Sequence, residues 1–163
     1  MSGKAIGKSV NLGYAGNVSR NGDNIIIARA VGESTDSILF GQAVALNEDN
    51  TIQKINTDNQ NCIGIAVREV KQTTDYMMSE GAYQQGDTCS ILTRGCVTVK
   101  CNAGTPKAGG KVYVRVEKND TGVVGEFEAE QDTGNIELEN VIFTTGQIDK
   151  NNIVEITILT RRI

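Results

Sequence analysis

The sequence predicts an all-β fold: one domain, a β-barrel or sandwich-like arrangement of short antiparallel strands, with an extended N-terminal arm. Three observations carry this expectation. Apolar residues recur with period two in most of the patterned stretches. The stretches between them are rich in Asn, Asp and Gly, which tolerate the left-handed backbone that hairpin turns require. The composition, with Gly at 18 and Pro at 1 in 163 residues, suits many tight turns and bulges without rigid spacers. A chain of this length is most simply one domain that buries roughly two-thirds of its unfolded surface. It needs no metal or disulfide merely to fold.

Residues 1–20, MSGKAIGKSVNLGYAGNVSR, are glycine-punctuated and mildly basic through Lys4, Lys8 and Arg20, with no strand pattern. They read as a frayed terminus or as an arm that orders on a partner. A single β-rich domain follows over 21–163, opening on the turn Asn21-Gly22-Asp23. A construction rule then occurs three times: GQAVAL at 41–46, GDTCSI at 86–91 and GGKVYV at 109–114 all fit Gly-x-x-apolar-x-apolar. The rule makes Cys89 the equivalent of Val44 and Val112, both inward positions. After the turn at Asn47-Glu48-Asp49-Asn50, NCIGIAV places Ile63, Ile65 and Val67 on one strand face.

The next stretch departs from period two. In VREVKQTTDYMMSE, Val67, Val70, Thr74 and Met77 recur at helical spacing, although Thr73 and Thr74 weaken a helix. At most one short helix, near 67–79, or an irregular excursion is expected. RGCVTVKCNAG then reads as a strand over 96–101, with Val97, Val99 and Cys101 on one face and Cys96, Thr98 and Lys100 on the other. GKVYVRVEK sets Val112, Val114 and Val116 against Lys111, Tyr113 and Arg115. After Asn119-Asp120-Thr121-Gly122, the region 117–140 reads as an acidic hairpin insertion. Glu126, Glu128 and Glu130 share one solvated face, Glu137 and Glu139 the next, around a turn at Asp132-Thr133-Gly134-Asn135. Phe127, Ala129, Ile136 and Leu138 form its buried face. A turn at Asp149-Lys150-Asn151-Asn152 precedes NIVEITILT, where Val154, Ile156 and Ile158 line up with Glu155 and Thr157 behind.

Composition narrows the chemistry. His is absent, which excludes serine–histidine and cysteine–histidine hydrolases and histidine-ligated metal sites. A net charge of −4 disfavours nonspecific nucleic-acid binding. The adjacent basic pair Arg161-Arg162 reads as a solvated tail. The N-terminus lacks the apolar run of a signal peptide, and Ile25-Ile26-Ile27 is far short of a membrane span. The expectation is a protein made and kept in the cytoplasm, or in something assembled there, with Cys62, Cys89, Cys96 and Cys101 as free thiols.

On one extended strand Cys96 and Cys101 point to opposite faces with Cα atoms roughly 16 Å apart, whereas a disulfide needs them within about 7 Å. A metal or redox role of all four thiols, or a pairing of Cys62 with Cys89, is left open by spacing alone. The carboxylates of 126–139 could bind calcium or serve as acid and base, against the plainer reading of a solvated hairpin. AGTPKAGGK at 103–111 lacks Gly-Lys-Ser/Thr and a following helix, so it is a connecting loop. Asp132-Thr133-Gly134 is better a turn than a protease triplet. No catalytic, cofactor-binding or metal-binding residue is assigned, and no cofactor is expected.

Several stretches taken together resemble the cement, or head-decoration, proteins of tailed bacteriophages. They are GYAGNV, ILFGQAVAL, CIGIAV, YQQGDTCSILTRGCVTVK with AGGKVYVRV, and FTTGQIDKNNIVEITI. The resemblance runs over most of the chain, with 117–140 the least family-like part. It implies a β-rich, non-catalytic virion protein on the outer surface of the capsid, bound to the major capsid protein and to itself as a homotrimer, assembled in the host cytoplasm, with neither nucleic acid nor membrane as partner. A carbohydrate- or receptor-binding virion module is the alternative. It would call on exposed aromatics, for which only Tyr14, Tyr76, Tyr83 and Tyr113 are at hand, with no Trp. A carboxylate-based hydrolase using 126–139 comes third.

Overall fold

The computed structural model describes residues 11–33, 36–69 and 81–161, and is all-β throughout them. The strands are β1 (Ile25–Ala30), β2 (Ile38–Leu39), β3 (Ala43–Leu46), β4 (Ile52–Lys54), β5 (Cys62–Ala66), β6 (Ala82–Tyr83), β7 (Thr88–Ala103), β8 (Lys111–Arg115), β9 (Phe127–Glu128), β10 (Asn135–Ile148) and β11 (Ile153–Ile158). The helical spacing read over 67–79 falls outside the described residues, except that 67–69 carry no regular structure.

β7 is the spine. It joins the GDTCSI and RGCVTVKC stretches into one strand of 16 residues. Its first half pairs with β1 on one edge and with β5 on the other. Its second half pairs with β11 and, in parallel, with β9. β11 continues to β10, β10 to β8 and β8 to β9, which returns to β7. Those five strands close a barrel, so no ladder edge is left open around the ring. Beyond β5 the sheet extends through β3 to β4, while β2 and β6 form a separate short pair.

Two cores follow from this layout. The barrel core holds Val97, Val99, Cys101, Val112, Val114, Phe127, Val154 and Ile156. The second core holds Ile38, Val44, Ile52, Ile63, Tyr83, Cys89 and Ile91. β3 and β5 lie between them, so both of their faces are buried. The three glycine-started strands obey one geometry: Gly41, Gly86 and Gly109 have φ of 81°, 79° and 71°, and β3, β7 and β8 each begin two residues later. Cys89 joins Val44 in the second core, as the repeat requires.

Strict alternation fails at several register shifts, two of which bear on the strands around β7. On β5, Val44 pairs with Gly64 but the next residue, Ala45, pairs with Cys62. The extra residue, Ile63, is thereby turned into the second core, away from Ile65 and Val67 in the barrel core. The expectation that all three share a face is corrected accordingly. On β7, Ile25 pairs with Arg94 and Ile26 with Leu92, which leaves Thr93 unpaired. Past that bulge, and past Gly95 at φ 118°, the odd-numbered residues switch from the second core to the barrel core.

The acidic region is a further correction. β9 and β10 do not form a hairpin: β8 lies between them and pairs with both. Phe127 and Leu138 are buried, and Ala129 and Ile136 pack on the barrel core, as expected. The carboxylates are not uniformly solvated, however, because Glu126 and Glu128 are buried. Their outward parity is right, but the connection through residues 117–135 folds over that face.

Candidate functional site

The N-terminal stretch is seated on the barrel by backbone bonds. Gly16 N donates to Thr98 O (2.7 Å), Thr98 N to Asn17 O (2.9 Å) and Ser19 N to Cys96 O (3.0 Å), and Val18 bridges antiparallel to Val97. The arm therefore takes the edge of β7 opposite β11. Gly16 also accepts from Arg68 N at 2.8 Å, which ties the exit of β5 to the barrel. A side chain at Gly16 would meet Gly41 N at 2.8 Å, so only glycine fits this crossing. From there the chain passes Gly95, whose absent side chain leaves room for Asn24, and continues antiparallel to β7 as β1.

Side chains lock the seat. The Thr98 hydroxyl lies 2.7 Å from Tyr14 O, and Ser19 Oγ donates to Glu155 Oε1 at 2.6 Å. Arg20 holds Glu155 with two bonds, Nε to Oε1 at 2.8 Å and Nη2 to Oε2 at 3.0 Å. The Arg20 bonds keep the Glu155 carboxyl below its ordinary range against the opposing effect of burial. At the start of the arm, Leu12 N donates to Asp149 Oδ2 at 3.0 Å, while Asp149 Oδ1 accepts from Asn151 N and Ile153 N in the β10–β11 turn. Burial pushes the Asp149 carboxyl up, but these backbone donors outweigh it and hold it low. The Arg68 guanidinium stacks on Tyr14 at 4.6 Å and faces the Phe40 ring at 5.7 Å. These groups, with Lys100 and Glu126, line a cleft of about 350 Å³.

A second polar centre lies under the 117–135 connection. Arg115 Nε donates to Glu128 Oε1 at 2.8 Å and Nη2 to Glu128 Oε2 at 2.6 Å, with both side chains 2% exposed. Arg115 also donates to Asp132 Oδ2 (2.8 Å) and to Thr133 O (2.6 Å), and Asn135 Nδ2 donates to Glu128 at 2.6 Å. The Arg115 bond holds the Asp132 carboxyl low, and the Glu128 bonds raise Arg115. The arrangement is an ion-pair network. Arg115 and Glu128 spend their bonds on each other and on neighbouring groups of the fold, while Asp132 stays half in solvent.

The other residues singled out from sequence are dispersed. None of the four cysteines is in a disulfide. Cys101 sits in the barrel core, where burial pushes its thiol up to about 11, while Cys96 faces the other way with Sγ 3.2 Å from Thr157 Oγ1. Among the described residues no group of three His, Cys, Asp or Glu is placed to hold a metal. Glu126 is bonded by Asn102, and Glu137 pairs with Lys111 at 2.9 Å. The 103–111 stretch links β7 to β8 as a loop. Of the tyrosines, Tyr83 and Tyr113 are buried, Tyr14 is exposed, and Tyr76 lies outside the described residues.

Sequence reading placed Thr98, Glu155, Arg115 and Glu128 on strand faces but missed the contacts of the first two with the arm and the pairing of the last two. The available signal was a charge at the outward parity of an otherwise apolar strand. It marks a solvated face as often as a covered one.

The sequence model of the family described as XM1 gp53 minor capsid protein matches residues 3–158. No curated protein matches the chain. A chain of the solved structure described as "The capsid of Myoviridae Phage XM1" superposes with a TM-score of 0.71 at 16% identity, covering 100% of both chains, which shows a common fold. The chain belongs to the XM1 gp53 minor capsid protein family. The resemblance to capsid-associated proteins of tailed phages is borne out.

Proposed function

We propose that this member of a minor capsid protein family binds the outer surface of its phage's capsid and cements the shell, as a homotrimer held to the major capsid protein. The observation that carries the reading is the family match over 3–158, nearly the whole chain. The physics is linkage: a protein that binds only the assembled, expanded lattice stabilises that lattice by its binding free energy. A symmetric oligomer adds multivalency, so modest contacts per copy give slow release.

The fold supports this role. A closed barrel with a buried ion pair resists local opening, and residues 12–20 of the arm are bonded to the barrel they cross. Nothing in the seat or in the Arg115 network places a nucleophile, general base or metal, and the reading is of a non-enzymatic virion protein added in the host cytoplasm. The test is co-sedimentation with two particle types of its own phage. The protein should pellet with expanded capsids and remain in solution with unexpanded ones, and sedimentation equilibrium should return three times the 17.5 kDa chain mass. Absence from the expanded-particle pellet would overturn cementing, and a monomer would overturn the trimer.

A further inference from the structure

β1 is laddered on one edge only. β7 pairs with all of Ile25–Ala30 on that side. On the opposite edge no described strand pairs with it. The first bond there comes past its end, where Gly32 N donates to Ile52 O at 2.9 Å and Val31 bridges to Ile52. Open edges in native sheets are commonly blunted by lysine, proline or a covering loop. β1 carries neither lysine nor proline and no described loop covers it: its sequence is IIIARA, Ile26 is 47% exposed, and Ala28 and Ala30 are exposed. Its single charge is Arg29. That residue supplies a second, independent observation, because Arg29 Nε is buried yet has no hydrogen-bond partner among the described residues. A buried guanidinium donor left unmatched is costly, and a carboxylate is the acceptor that matches it best.

We infer that β1 is a docking edge that takes an extended segment of the capsid shell protein as an added strand, with an Asp or Glu of that segment meeting Arg29. Main-chain bonds along the open edge supply affinity, and the Arg29 partner supplies selectivity and register. Charge decides the occupant. A second copy's β1 would bring another Arg29 and no carboxylate, and this chain's own residues 1–10, MSGKAIGKSV, carry two lysines and no acid. The inference rests on the capsid-binding reading above.

Hydrogen exchange on the intact protein tests it, free in solution and bound to expanded capsids of its own phage stripped of this protein. Amides of the peptide spanning 24–31 that point to the open edge should exchange about tenfold or more slowly when bound. Arg29→Gln should weaken capsid binding about tenfold, corresponding to about 1.4 kcal/mol, while Val123→Lys, on another exposed site, should leave it unchanged. Wild-type protein that pellets with capsids but shows no added protection in 24–31 overturns the docking edge and leaves cementing intact. Protection already complete in the free oligomer overturns it as well, by placing β1 between copies. Failure of the wild type to pellet at all defeats the capsid-binding reading itself.

Discussion

Replacing Glu128 by Ala tests whether the Arg115 network holds the connection over the barrel. Both partners are 2% exposed and share two bonds of 2.8 and 2.6 Å. Breaking a buried pair by removing one partner costs about 3–5 kcal/mol, because the survivor is left charged in a dry site. Here Arg115 keeps the Thr133 carbonyl and Asp132, whose side chain is 54% exposed. The cost should therefore sit at the low end, about 3 kcal/mol. At about 2–4 °C per kcal/mol for a chain of this size, the melting temperature should fall by roughly 6–12 °C. Urea and thermal denaturation followed by circular dichroism measure both. The paired replacement Arg115→Met with Glu128→Leu removes both charges and should recover most of the loss. A single-variant loss below about 1 kcal/mol, or a double variant as unstable as the single, would refute a desolvated pair.

Other outcomes follow from named contacts. Glu155→Gln weakens the hold on Ser19 and Arg20, and because Arg20 is 57% exposed the local cost is about 1 kcal/mol. Trypsin cleavage at Arg20 should then quicken about fivefold with global stability little changed. Gly64→Ala would drive a methyl to 2.3 Å from Leu92 O and part β5 from β7. It should cost at least about 2 kcal/mol, whereas Gly86→Ala, with nothing within 4 Å, bears only its positive-φ strain of about 1 kcal/mol. Glu155, Asp132 and Asp149 have carboxyls held below their ordinary values of 4.5, 3.8 and 3.8. The stability they lend is whole above that range and is lost as pH falls through and below it, so melting temperature should drop below about pH 4.5. Iodoacetamide at pH 8 should alkylate half-buried Cys96 first, with Cys62, Cys89 and Cys101 reacting only on unfolding, as peptide mass mapping would show.

The period-two stretches name their strands because a half-buried strand must alternate, and the barrel core faces of β8 and β11 are those that alternation assigns. The Gly-x-x-apolar-x-apolar rule is legible for a local reason as well, since a positive φ two residues before a strand is a property of the chain itself. RGCVTVKCNAG likewise resolves as alternation requires, with Cys101 in the core and Cys96 turned to Thr157. The seat of the arm was not legible. Residues 12–20 are fixed by Thr98, Asp149 and Glu155, which lie about 80 to 140 positions away in the chain, and no local pattern encodes such a partner.

What the sequence determined by itself, then, is the all-β class, the positions of the turns, and which side of most strands faces a core, because these depend on neighbours within a few residues. What only the tertiary structure decided is where strands stand relative to one another. β8 separates β9 from β10, so the expected acidic hairpin becomes two edges of a barrel stave. The bulges at Ile63 and Thr93 reverse parity, since an inserted residue is visible only against the partner strand that lacks it. Glu128 is buried because Arg115 from β8 and Gly122 and Asn135 from either side of β9 close around it. Outward parity is a local property, but exposure depends on what the remainder of the fold lays over that face.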